Sequence, residues 1–154
     1  MKASILAIAA LLVLAGCASK THDTDMKAGT VGSIAFTEAR HYFFKGNIDA
    51  LPADNKITDE ETFNSLFGMA TVMGTDGKPT AIDFGKQMVV PFVLPATDRD
   101  TEIVPVAAEL AEGRLTCSFR VTQGEQQSFK TQPLSLIIVS RDYAGCDVTL
   151  KTIE

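Results

Sequence analysis

Tryptophan is absent from this 154-residue chain, tyrosine and histidine occur twice each, and cysteine three times. Each shortage removes a class of function. Sugar platforms are built from exposed aromatic rings, and Tyr42 and Tyr143 are thin material for one. A nucleophilic hydrolase needs a base beside its serine or cysteine. His22 lies in a polar stretch, His41 lies in an aromatic run with no serine motif nearby, and Gly-x-Ser-x-Gly does not occur. Zinc asks for three or four closely spaced ligands, which one histidine and distant cysteines do not supply. Glycine-rich phosphate loops are missing too. Fourteen basic residues stand against nineteen acidic ones, a formal charge of −5 that argues against nucleic acid. The longest apolar run, Ile5–Ala15, is too short to cross a bilayer as a finished helix.

That run is nevertheless the most specific signal present. Lys2 gives a positive start, the apolar segment follows, and Leu14-Ala15-Gly16-Cys17 closes it with small residues and one cysteine. The layout is that of a secretory signal, and its ending resembles the lipobox of bacterial lipoproteins. The resemblance implies removal of residues 1–16, lipidation of Cys17 and a membrane anchor made of acyl chains. Several acyl chains hold a protein stably without a transmembrane helix, at ~0.8 kcal/mol per buried methylene. Ala18 follows the cysteine where an inner-membrane retention aspartate would stand, so the expected place is the outer membrane. Residues 17–33 are small and polar and read as a lipidated flexible tether. A single β-rich domain is expected over 34–154.

Within that domain the residues fall mainly into strands. Ile34 to Phe44 reads as one aromatic-rich strand. Its rings pack in the core, or Phe43 and Phe44 form an exposed patch. Thr58-Asp59-Glu60-Glu61 reads as a capping box opening a helix near residues 59–67, with Phe63, Leu66 and Phe67 on one face and Gly68 as its stop. Ile82 to Leu94 becomes a strand apolar on both faces, hence central. Pro95–Thr101 reads as a polar loop. Val104–Leu110 is a strand, or a helix over its alanines. Leu115, Cys117, Phe119 and Val121 alternate with polar neighbours as a half-buried strand. Gln123-Gly124-Glu125 turns the chain, and dense strands follow at Leu134–Val139 and Cys146–Leu150. The fold class expected is mainly β (α+β): an antiparallel sandwich or partly closed barrel with one short helix.

Cys117 and Cys146 are an even pair for an exported compartment, so a disulfide is expected, with two buried free thiols as the other reading. Both sit in the apolar phase of their strands. A plain meander would hold them about 10 Å apart, so a bond demands different sheets or non-sequential neighbours. Asp98, Asp100 and Glu102 alternate as calcium ligands can, but Arg99 intrudes and no glycine sits inside the run. No metal, cofactor or catalytic residue is expected.

Phe67-Gly68-Met69-Ala70, then Gly74-x-x-Gly77-Lys78-Pro79, Ile82-Asp83-Phe84 and Val89-Val90, resemble small lipoproteins of the Bacteroidetes. More distantly, the order of an Ile-Asp-Phe motif, apolar strand, polar loop and strands resembles the accessory lipoprotein domains of protease complexes. The Thr-Gly-Gly-Tyr-type loop of those domains is replaced here by Pro95–Thr101, so no functional residue is carried over. The function expected is a non-enzymatic, lipid-anchored module binding an envelope protein or peptide. Its loops would carry the contacts through Thr97, Asp98, Arg99, Asp100, Gln123 and Glu125. A small envelope hydrolase and a structural subunit of an envelope complex are the alternatives.

Overall fold

The computed structural model describes residues 31–74 and 76–153. The expected signal segment, Cys17 and the tether as far as Thr30 lie outside the described residues. Among the described residues the fold is mainly β and sandwich-like, with no closed barrel. Its strands are β1 (Gly32–Ser33), β2 (Thr37–Ala39), β3 (Tyr42–Phe44), β4 (Phe67–Met69), β5 (Gln87–Val93), β6 (Thr97–Ala111), β7 (Arg114–Thr131), β8 (Leu134–Ser140) and β9 (Asp147–Ile153). Among the described residues one α-helix, α1 (Glu60–Leu66), precedes β4, and the segment Arg141–Gly145 is a 3-10 turn.

One long ribbon generates the sandwich. β5 and β8 pair antiparallel from Gln87–Ser140 to Val93–Leu134. The Leu94 amide donates to the Pro133 carbonyl at 2.9 Å. Pairing resumes between β6 and β7 at Thr97–Thr131 and runs to Ala111–Arg114. The ribbon doubles back at this junction, and irregularities at Thr97/Arg99 and Arg99/Thr101 mark the corner, as bulges do where strands pass from one sheet to the next. β2 joins the first half on β8, giving β2-β8-β5. β1 and β9 join the second half, giving β1-β6-β7-β9, with β9 parallel to β7.

Three layers follow. Met88, Val90, Ile137 and Val139 face Leu115, Cys117, Phe119 and Val148 of the four-stranded sheet. The Phe92 and Phe119 rings stack at 4.6 Å across this core. Val89, Leu136 and Ile138 face the other way, onto Phe63, Leu66 and Phe67 of α1 and β4. The β5–β8 pair is therefore covered on both faces, which is why its sequence is continuously apolar. β5 is not central within its sheet, as the double apolar phase predicts. It is an edge strand, closed by Ile57, which exchanges both backbone hydrogen bonds with Val89 at 2.8 and 2.9 Å. Pro91, two residues on, faces that same edge, where no ladder partner is lost.

Other expectations are corrected. The Ile34–Phe44 run is divided between two sheets, β2 in one and β3 in the other. It breaks at His41, whose φ of 63° is left-handed, and the corner is held by Thr80, which accepts from the Arg40 amide and donates to its carbonyl. Asp59, not Thr58, caps α1, accepting from the Thr62 amide at 2.8 Å. That bond holds the Asp59 carboxyl below the usual carboxylate range. Gly68 does not stop the helix. It lies inside β4 beneath the Phe43 ring, where a Cβ would come within 2.6 Å of Phe43 Cε1. Gln123–Glu125 is no turn but the middle of β7. The reversal is at Glu112–Gly113, whose φ values of 50° and 76° suit a two-residue hairpin.

Ser135 Oγ is buried without a partner beside the inter-sheet core. Leu136→Ala should lower the unfolding free energy by about 2–5 kcal/mol in urea titrations. Ser135→Ala should cost nothing or stabilise, because it removes a hydroxyl that folding strips of water.

Candidate functional site

The six residues expected on two separate binding loops lie on one structure. Thr97, Asp98, Arg99 and Asp100 belong to β6, and Gln123 and Glu125 to β7. The two stretches pair, Arg99 opposite Gln126 and Thr101 opposite Gln123. The apposition forms a two-stranded arm at the corner of the ribbon. Arg99 Nη1 donates to the Gly124 carbonyl at 3.3 Å, and Gln126 Nε2 donates to Asp98 Oδ2 at 2.7 Å. Thr97 Oγ1 accepts from the Arg99 amide at 3.1 Å. These bonds hold strand geometry where apolar alternation has ended, which is why the segment reads as loops in the sequence.

Between Gln126 and Thr131 the register slips, leaving Gln127–Lys130 opposite Asp98 alone. This bulge presents Phe129 to solvent, 59% exposed. Phe129 was not singled out by sequence reasoning. Its one legible signal is its place in a polar run, between Ser128 and Lys130.

A second surface lies on the helical layer. α1, the β3–β4 ribbon and the segment Lys78–Phe84 enclose a groove of about 390 Å³. Its walls are Tyr42, Phe63, Met69, Pro79, Ile82 and Phe84, with Glu60 and Lys78 also lining it. Phe63 organises the floor, edge-on to Tyr42 at 5.1 Å and 5.5 Å from Phe84. The Tyr42 hydroxyl donates to the Thr80 carbonyl at 2.6 Å, and burial raises its pKa. Arg141 Nη1 donates to the carbonyls of Thr58 and Phe84, tying the start of α1 to the groove wall. Phe44 packs on Phe67, whereas Phe43 is half exposed.

Cys117 and Cys146 are free. Cys117 lies on β7 and Cys146 immediately before its non-sequential neighbour β9, as a bond would require, but the parallel register sets Cys117 opposite Leu150, four positions past Cys146. Four residues of strand span about 13 Å, beyond the reach of a disulfide. The expected bond is thus corrected to two separate thiols. Burial pushes the Cys117 thiol up to about 11. Among the described residues no three His, Cys, Asp or Glu side chains gather as a metal site would need. Asp98 is instead bonded to Gln126.

No protein family, curated protein or solved structure matches this chain.

Alkylation of the native protein should label the partly exposed Cys146 well before Cys117, and both should react once unfolded. The unfolded Cys117 thiol ionises from its ordinary value of 9.0 upward, while the folded one stays protonated to about 11. The unfolded state then binds fewer protons, so stability should fall across that interval. Cys117→Ala should flatten this part of the alkaline decline in denaturation curves collected at successive pH values.

Proposed function

We propose that this protein is a lipid-anchored, non-enzymatic module that binds an envelope protein or peptide through the β6–β7 arm. Acyl chains on Cys17 would hold it at the outer membrane. The observation that carries this reading is the composition of the arm: a half-exposed aromatic ring, Phe129, on a polar, hydrogen-bonded, two-stranded support. Protein interfaces draw most of their energy from a few aromatic or arginine anchors surrounded by polar contacts. Phe129 and Arg99 match that pattern. The surrounding Asp98, Asp100, Gln123 and Glu125 are rim groups that fix register and orientation. The support is already ordered in the free protein, so binding loses little entropy on contact. The acidic balance of the chain points to attachment by acyl chains and not by electrostatic adhesion to anionic lipid.

Cys17→Ser should abolish acyl labelling and release the protein from membranes; unchanged fractionation, with no lipid on the unmodified chain, would contradict the anchor. For the arm, a photo-reactive phenylalanine analogue placed at position 129 of the membrane-bound full chain should trap one discrete envelope protein. The same probe at Thr149, on β9, should not. Phe129→Ala should weaken binding of the trapped partner by about 2 kcal/mol or more, roughly thirtyfold. A partner that binds Phe129→Ala as tightly as the unchanged protein would overturn the assignment. So would hydrolytic turnover by the chain that is lost on His41→Ala.

A further inference from the structure

The four-stranded sheet has an edge that is paired over only part of its length. β1 lines β6 at Gly32–Leu110 and Ser33–Glu109, and the Ile34 amide donates to the Ala108 carbonyl at 2.7 Å. The chain then leaves this edge for β2, in the other sheet, while β6 reaches back to Thr97. In an antiparallel ladder alternate residues turn both backbone groups toward one neighbour, and the residues between them turn theirs away. From Thr101 to Pro105 β6 keeps unbroken register with β7, so one set of groups is bonded and the other faces the open side. Among the described residues no backbone partner meets that second set. Register shifts at Arg99/Thr101 and Pro105/Ala107 bound the stretch, and Pro105, which has no amide hydrogen, marks its end. Glu102, Val104 and Val106 are exposed along it.

We propose that the β6 edge from Thr101 to Pro105 takes up an extended segment of a partner protein as an added strand, antiparallel to β6 and in line with β1. A row of unpaired amides and carbonyls selects an extended backbone, and the side chains beside it select which one. β1 sets the orientation: it is antiparallel to β6 and leaves the edge just before the open stretch begins. Neighbouring side chains set the composition, since residues directly across a ladder interact. Val104 is exposed on one face and Ile103 is buried on the other, so both ask for apolar neighbours, β-branched beside Val104. Glu102 is exposed, and Asp100 and Asp98 lie beyond it, while Arg99 is bonded to the Gly124 carbonyl. The residue beside Glu102 is therefore lysine or arginine. Read along the partner, the order is β-branched, apolar, basic. A second copy of β6 fits this edge less well, because it brings the same three acids. The inference rests on the reading of the chain as a peptide-binding module and supplies its mode of capture, without using Phe129.

The test uses the full chain in detergent micelles and a set of short synthetic peptides that share the order valine, leucine, lysine and are otherwise polar. Binding should slow exchange of those amides within Thr101–Val104 that do not bond β7. Methylating one set of alternate backbone nitrogens in the peptide should weaken binding at least tenfold, and methylating the other set should change it little, as pairing along a single edge requires. A spin label at the peptide's amino end should broaden signals near Ala107 and not near Asp100. Glu102→Lys alters an exposed side chain and should weaken binding at least fivefold, whereas Thr149→Lys on β9 should not; unchanged circular dichroism of both would establish that they fold. Failure of every peptide to bind, equal binding by both methylated forms, or undiminished binding to Glu102→Lys would overturn the proposal. So would protection of the same amides in the free chain, which would assign the edge to another segment of this chain or, where protection grows with concentration, to a second copy. Capture of the peptides with no crosslink at position 129 would refute the arm alone, and a crosslink there with no peptide captured would refute this edge alone.

Discussion

The antiparallel pairing of β5 with β8 is the constraint on which the other elements depend. Each of these strands is apolar on both faces, so neither can rest against water on either side. The odd and even positions must be covered separately. The chain meets one demand by doubling its own ribbon back, so that β6 and β7 cover Met88, Val90, Ile137 and Val139. It meets the other with α1 and β4, whose Phe63, Leu66 and Phe67 cover Val89, Leu136 and Ile138. Remove that pairing and neither outer layer has a surface to pack against. The α1 helix has only seven residues and would not persist in isolation.

Surfaces suited to recognition lie where this packing ends. At the ribbon's corner the apolar alternation of β6 and β7 gives out, and side-chain hydrogen bonds from Arg99 and Gln126 take over the task of holding the strands. On the helical layer, Val72 and Met73 beyond β4 stand exposed. A binding surface built outside the core can change its side chains with little effect on the fold. Two sheet edges, at β5 and β9, are guarded in the meantime. Ile57 and Pro91 close β5. On β9, the Asn55 side chain donates to the Val148 carbonyl, and just before it Lys56 Nζ donates to the carbonyls of Ala144 and Cys146. Blunted edges of this kind discourage uncontrolled strand addition.

Legibility in the sequence follows the same physical division. Where burial sets a period, the residues announce their place: Leu115, Cys117, Phe119 and Val121 point inward, and Phe63 and Leu66 share the buried face of a helix. Where the backbone is fixed by long-range hydrogen bonds, they do not. Gln123-Gly124-Glu125 has turn composition, yet lies within a strand because Arg99 and Thr101 sit across from it. His41 interrupts an aromatic run because Thr80, 39 residues away, binds the neighbouring backbone. The cysteines show a subtler limit. Phase along each strand is readable, and both thiols belong to the same core, but the register of a parallel pair is set by neither strand alone. The six candidate arm residues were legible by polarity, while their convergence, and Phe129 among them, required the fold.

Amide hydrogen exchange tests this division between an obligatory core and an independently supported arm most directly. Amides of β8 from Leu136 to Val139 should exchange only through global unfolding, at the slowest rates in the protein. Amides from Gln123 to Thr131 should open locally and exchange far faster, without loosening β8. Equal protection of the arm and β8, or exchange of β8 through local opening, would contradict the account.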